Sequence, residues 1–310
     1  MTRILCIDGG GIMGLIPAML LAELEARAGR PAGQLFDLVA GTSTGGIIAC
    51  AVAAGLPAAT VVDLYRQRGP QIFSRSFGHR LATGFGLWGP QYEAAGIEAA
   101  LADVFGDRRL SDCGPALLVP AYDIEARAVA LFKSAKAGDT RRDYYLRDVC
   151  RATSAAPTYF PPARIASLAG EMATLVDGGL CANNPSACAL AQAAKAGRLD
   201  DAVMLSLGTG QVERPYLYDM ARRWGLAAWV RPLLDCMFDG QSDVAAHQCQ
   251  ALLGDRMMRI QPALPGALAM DDASPTALAT LEAVARGLIA AADMELDKIC
   301  ERLLPKAAAA

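Results

Sequence analysis

The sequence predicts an α/β fold whose mostly parallel sheet is covered by helices on both faces. Three observations lead there. Strand-length apolar runs alternate with stretches of helical spacing from Arg3 to Leu207, the pattern of crossover connections between parallel strands. The first two runs end in the turns Asp8-Gly9-Gly10-Gly11-Ile12-Met13-Gly14 and Gly41-Thr42-Ser43-Thr44-Gly45, each opening directly into a helical pattern. At 310 residues and 53% hydrophobic content, the chain can bury the two-sided core that such a sheet requires. With no linker and no internal repeat, residues 1–310 are expected to form one unit, mainly helical from about residue 216.

Arg3 to Ile7 reads as a buried strand and Leu15 to Ala28 as a helix. Between them, Gly9, Gly11 and Gly14 fit the dinucleotide-binding spacing, a weak signal by itself. Asp8 at the loop mouth would repel a pyrophosphate, and the second strand carries no acid to hold a ribose. No Lys follows the glycines, so a Walker loop fails too; no nucleotide cofactor is expected. The backbone N–H groups of Gly9, Gly10 and Gly11 are read instead as an oxyanion hole. Phe36 to Ala40 is the second strand, and Gly41-x-Ser43-x-Gly45 after it has the spacing of a nucleophile elbow. A serine on so tight a turn needs neighbours two residues away with almost no side chain. The helix that follows directs its N-terminal amides at the reacting oxygen. A plain Gly/Ser turn has the same composition, so this motif alone leaves catalysis open.

Ala58 to Gln67 suggests a helix, and the turn-rich stretch from Gly69 to Tyr92 holds Phe73, Phe77, Phe85 and Trp88. A surface loop anchored by its aromatics is the expectation there, a lid the other reading. Further helices are expected at Ala94 to Phe105 and Arg147 to Ala155, and strands at Leu117 to Tyr122, Ala128 to Phe132 and Val203 to Leu207. A short strand, Leu175-Val176-Asp177, ends on an acid followed by Gly178-Gly179; Asn183-Asn184-Pro185 then opens a helix of small residues. From Tyr216 to Phe238 the chain is apolar and aromatic, with Arg222, Arg223 and Arg231 around Trp224 and Trp229. Such a segment suits a lipid interface. A helix pair packed on the sheet explains it equally well and is the expectation. Helical patterns at Ser242 to Leu253, Pro275 to Ala290 and Asp293 to Leu303 precede a frayed tail at Ala307 to Ala310.

The net charge of −3 argues against nucleic acid as a partner. Nine scattered cysteines with no C-x-x-C suggest reduced thiols in a cytoplasmic protein, without zinc or any other metal. The uncharged run from Leu38 to Val62 is broken by glycines and Pro57 into strand, turn and helix, so no membrane span is expected. No leader is expected either, because strand character begins at Arg3 and Asp8 interrupts it.

Taken together, Asp8-Gly9-Gly10-Gly11-x-x-Gly14, Gly41-Thr42-Ser43-Thr44-Gly45 and Asp177-Gly178-Gly179 resemble the patatin-like phospholipases. Gly89-Pro90-Gln91-Tyr92, the run from Thr153 to Pro162, Asn183-Asn184-Pro185 and Leu205 to Gly210 extend the resemblance, in the family's order. It implies a three-layer α/β/α sandwich and a Ser-Asp dyad that hydrolyses acyl esters of lipids. Ser43 would be the nucleophile, Asp177 its base, and Gly9, Gly10 and Gly11 the oxyanion hole. No metal or organic cofactor is implied; the partner is a lipid or acyl ester, with peripheral membrane contact as a further expectation. A Ser-His-Asp triad is the rival mechanism, since Ser43, Asp177 and His247 fall in α/β-hydrolase order. Against it, His247 lies in a helical pattern, and the other histidine, His79, in the glycine-rich loop. One position departs from the family: Met13 stands where its glycine loop carries Arg or Lys. Activity on neutral or short esters at least equal to that on phospholipids is therefore expected.

Overall fold

A computed structural model describes residues 1–74, 83, 88–211, 215–266 and 268–304. Phe77, His79 and Phe85 of the glycine-rich stretch and the tail at 307–310 lie outside the described residues, as do the side chains of Ala227 and Arg231.

Eight strands form one mixed, mostly parallel sheet: β1 (Thr2–Ile7), β2 (Leu38–Gly41), β3 (Ala116–Asp123), β4 (Ala128–Lys133), β5 (Ala163–Ala166), β6 (Met172–Asp177), β7 (Ala202–Leu207) and β8 (Met257–Ile260). The hydrogen-bonded path runs β5-β6-β3-β2-β1-β7-β8, with β4 also on β3. β3, β2, β1, β7 and β8 are mutually parallel. β4, β5 and β6 make antiparallel pairings.

Side chains alternate across the buried strands. Leu5, Ile7, Val39 and Val119 face one core, while Ile4, Cys6, Ala40 and Leu118 face another. The first face is covered by α1 (Leu15–Ala28), α2 (Thr44–Ala53), α3 (Ala58–Ile72), α4 (Ala94–Phe105), α5 (Leu146–Thr153), α8 (Pro275–Ala291) and α9 (Asp293–Leu303). α6 (Ser186–Lys195) and the C-terminal half of α7 (Leu226–Leu253) cover the second, giving three layers.

Several boundaries differ from the expectations. α3 runs past Gln67 to Ile72 with Pro70 inside it. The strands β5 and β8, four residues each, were not expected; β8 makes a sheet edge inside the part expected to be mainly helical. The expected helix pair between Tyr216 and Phe238 is instead a single turn, Tyr218–Ala221, followed by the long helix α7, whose N-terminal half does not settle on the sheet.

The register explains how two distant segments meet. Leu118 of β3 pairs with Ala40 of β2 on one side and with Lys133 of β4 on the other. Ala121 pairs with Ala130 of β4 and with Asp177 of β6. Since β4 keeps to one edge of β3, β2 and β6 share the other, running in opposite directions with their C-terminal ends facing across Val119 and Pro120.

Candidate active site

Ser43 leaves the end of β2 at φ 53° and ψ −123°, a conformation that side-chain-bearing residues rarely adopt. Such backbone strain costs about 1–3 kcal/mol and persists only where the surroundings enforce it. Here the enforcement is visible. A Cβ on Gly41 would strike the Gly45 carbonyl, and one on Gly45 would strike the carbonyls of Ile7 and Asp8. The Ser43 amide donates to Thr153 Oγ1 at 2.9 Å, and that hydroxyl donates to the Pro120 carbonyl at 2.6 Å. Thr153 thus ties the start of the turn after β2 to the carbonyl of Pro120 in the gap between β2 and β6.

Asp177 ends β6, buried at 3% exposure. Its Oδ2 accepts the Ser43 hydroxyl at 2.7 Å, and its Oδ1 accepts the Gly179 amide at 2.7 Å. Burial pushes the carboxyl up to about 6, against the lowering effect of those two donors. Two side chains 134 positions apart are thus in hydrogen-bond contact.

The glycine loop lies beside them. An added Cβ on Gly9 would stand 3.3 Å from the Ser43 Cβ. The Gly9 amide, however, donates to the Asn183 carbonyl at 3.0 Å. That corrects the expectation of three donors, because a committed amide is not available to an oxyanion. The amides of Gly10 and Gly11 have no acceptor among the described residues. Asp8, read as a free charge that would repel a pyrophosphate, is paired: Arg259 of β8 reaches its two oxygens at 3.0 and 2.5 Å and also donates to Ser206 at 2.8 Å. Burial raises the Asp8 carboxyl while the guanidinium pulls it back. Its charge is therefore no argument about ligands.

A cavity of about 850 Å³ opens over Ser43 and Asp177. Its apolar lining includes Met13, Ile47, Ile72, Phe73, Ile97 and Phe160 as well as Tyr216, Leu217, Met220, Trp224 and Val230. Phe73 packs on Tyr92 at 5.5 Å and on Phe160 at 6.1 Å, so this aromatic of the glycine-rich stretch anchors to the core, whereas Trp88 is exposed, against the expectation for that stretch's aromatics. Asp235, Asp239 and Asp243, one helical turn apart on α7, also face the cavity, and no Lys, Arg or His is among its described lining residues. His247 is exposed on α7 and does not line the cavity. All nine cysteines are free, and no cluster of His, Cys, Asp and Glu suited to a metal occurs among the described residues.

Thr153, Arg259 and the Asn183 carbonyl were not singled out from the sequence. Thr153 stands in a stretch that carried the resemblance, but nothing local marks its hydroxyl as the bridge. Arg259 lies on a strand with no periodic signal.

A strained serine in contact with a buried carboxylate thus lies under a largely apolar cavity on a three-layer α/β fold. The patatin-like phospholipase family model matches residues 5–189, and the chain belongs to that family, one of lipid acyl hydrolases. It is 30% identical to Patatin-like protein 3 of Arabidopsis thaliana, covering 80% of this chain and 69% of the relative. It is 32% identical to the cGAMP-activated phospholipase of Pseudomonas aeruginosa, over 83% of this chain and 77% of that one. A Solanum tuberosum relative, Probable inactive patatin-3-Kuras 1, is 28% identical over 93% of this chain and 86% of its own length. Among solved structures, VipD from Legionella pneumophila matches 92% of this chain and 67% of its own at 11% identity, with a TM-score of 0.40.

Proposed function

We propose that this chain is a serine acyl hydrolase that cleaves fatty-acyl esters through an acyl-enzyme, with Ser43 as nucleophile and Asp177 as its base. The observation that carries the reading is the 2.7 Å contact from Ser43 Oγ to Asp177 Oδ2 under a largely apolar cavity. Asp177 accepts the hydroxyl proton as Ser43 Oγ attacks the ester carbonyl. The same proton then passes to the departing alkoxide, leaving an acyl-serine. Asp177 next takes a proton from water as the water oxygen attacks the acyl carbonyl, and returns that proton to Ser43 Oγ as the serine departs and the carboxylic acid is released. A carboxyl raised to about 6 is a better base than an aqueous carboxylate, yet it is mostly ionised at neutral pH.

The Gly10 and Gly11 amides and the N-terminus of α2 supply the positive end for the oxyanion; removing one such donor elsewhere costs about 3–4 kcal/mol. Gly9 serves by letting the loop backbone approach Ser43. The lining favours phospholipase A, lysophospholipase or esterase substrates with apolar chains. Its carboxylates and the absence of a cation at Met13 disfavour anionic head groups.

Labelling with a fluorophosphonate probe tests this: the probe should attach to Ser43, and Ser43→Ala and Asp177→Asn should both abolish ester hydrolysis. The assay is run with and without cGAMP, the activator in the name of the P. aeruginosa relative, so that a resting state is not mistaken for inactivity. Absence of labelling under both conditions would favour a silent lipid-binding protein, the reading that the S. tuberosum relative's name brings to mind.

A further inference from the structure

We propose that the segment from Tyr216 to Met237 is a docking surface for a zwitterionic lipid bilayer, from which an acyl chain passes directly into the cavity. The proposal rests on the hydrolase reading for its purpose but not for its observations. In a folded helix, apolar residues at spacings of three and four ordinarily face the core. Along α7, Leu226, Trp229, Val230, Leu233 and Met237 keep that spacing and all are exposed, Leu226 at 88%. Tyr218, at 79%, and Met220 extend the face through the preceding turn. Scattered exposed apolar side chains need no account, but a contiguous stripe does.

Composition and position choose the occupant. Tyr216, Trp224 and Trp229 form an edge-to-face series with centroids 5.4 and 5.2 Å apart. Amphipathic rings of this kind favour the head-group layer of a membrane. The stripe is continuous with the cavity, since the exposed Leu217, Met220 and Val230 also line it. A protein partner seated here would stopper the mouth over Ser43, whereas a bilayer is itself the reservoir of acyl chains. The segment carries Asp219 and Asp235 against Arg222, Arg223 and Arg231, a net charge of only +1, so the face suits a zwitterionic surface without requiring an anionic one. No helix among the described residues is long and apolar enough to cross a membrane, so the contact is peripheral.

The test compares wild type with Tyr218→Glu/Leu226→Glu/Leu233→Glu, three exposed positions outside the cavity lining, and with the same three positions changed to Trp. Flotation with phosphatidylcholine vesicles should show partition falling by about tenfold or more in the Glu variant and rising in the Trp variant. Turnover of a soluble short-chain ester should stay within about twofold in both, while hydrolysis of vesicle lipid follows partition. Equal partition of wild type and the Glu variant would overturn the proposal. So would a wild-type dimer that ignores vesicles and is dissociated by the Glu changes. If no variant cleaves the soluble ester, the hydrolase reading fails, and flotation still decides the docking surface.

Discussion

Asp177 carries a free-energy cost that the pH dependence should reveal. Its folded pKa of about 6 lies above the ordinary 3.8, so the native state holds the proton after the unfolded chain has released it. Stability is therefore fully retained below about pH 4 and declines as pH rises toward 6; the total is about 3 kcal/mol. Asp177→Asn removes this penalty. We expect the variant to melt at a higher temperature than wild type at pH 8, with the difference vanishing near pH 4, by calorimetry across that range. Activity should move the opposite way: kcat/KM of wild type should rise through a limb near pH 6, and both Asp177→Asn and Ser43→Ala should lose about 10³-fold or more at pH 8. Replacing His247 by Ala should leave kcat/KM within about twofold, since the imidazole is exposed and away from the cavity. The contact between Ser43 and Asp177 was legible in the sequence because Ser43 sits between the glycines of a strand-to-helix turn and Asp177 ends an apolar strand at a glycine pair. Thr153 was not, because an acceptor for the Ser43 amide can come from anywhere in the chain.

At the scale of single elements, β8 and α5 matter more than their length suggests. Arg259→Met would leave the Asp8 carboxylate buried and unpaired at 2% exposure, and should cost about 3–5 kcal/mol, read by chemical denaturation. Adding Asp8→Asn should restore part of that loss, because the uncompensated charge is then gone. Thr153→Val deletes both the acceptor for the Ser43 amide and the donor to Pro120; about 1–3 kcal/mol of stability should go with it, together with a fall in kcat. The helices α1, α4 and α9 match their sequence patterns closely, each being amphipathic or buried over several turns. β5 and β8 were invisible in the sequence because four-residue strands offer too short a stretch for alternation to declare itself. The N-terminal half of α7 misled for the opposite reason: its apolar spacing is that of a buried helix, but the face it serves is on the outside.

For the molecule as a whole, the proposed function makes charge around the cavity the feature that should govern which esters enter. Burial and the neighbouring carboxylates of Asp235 and Asp243 push Asp239 up, the mark of like charges held close. Neutral esters and phosphatidylcholine should accordingly be hydrolysed faster than phosphatidylglycerol in mixed micelles, and Asp239→Asn/Asp243→Asn should narrow that preference. The mostly parallel sheet and its two helical layers were readable from the alternation of patterns, whereas the antiparallel junction of β3 with β6 required tertiary pairing to be seen. That junction has a consequence for tolerance to change. β3 works as a ruler, since the strands carrying the hydroxyl and the carboxylate both abut its one edge and their gap is measured by two of its residues. Chain inserted at the tip of the β3–β4 hairpin, residues 124–127, lengthens the contour between Ser43 and Asp177 without altering that gap. A reporter peptide spliced there should travel with an enzyme whose catalytic spacing is untouched.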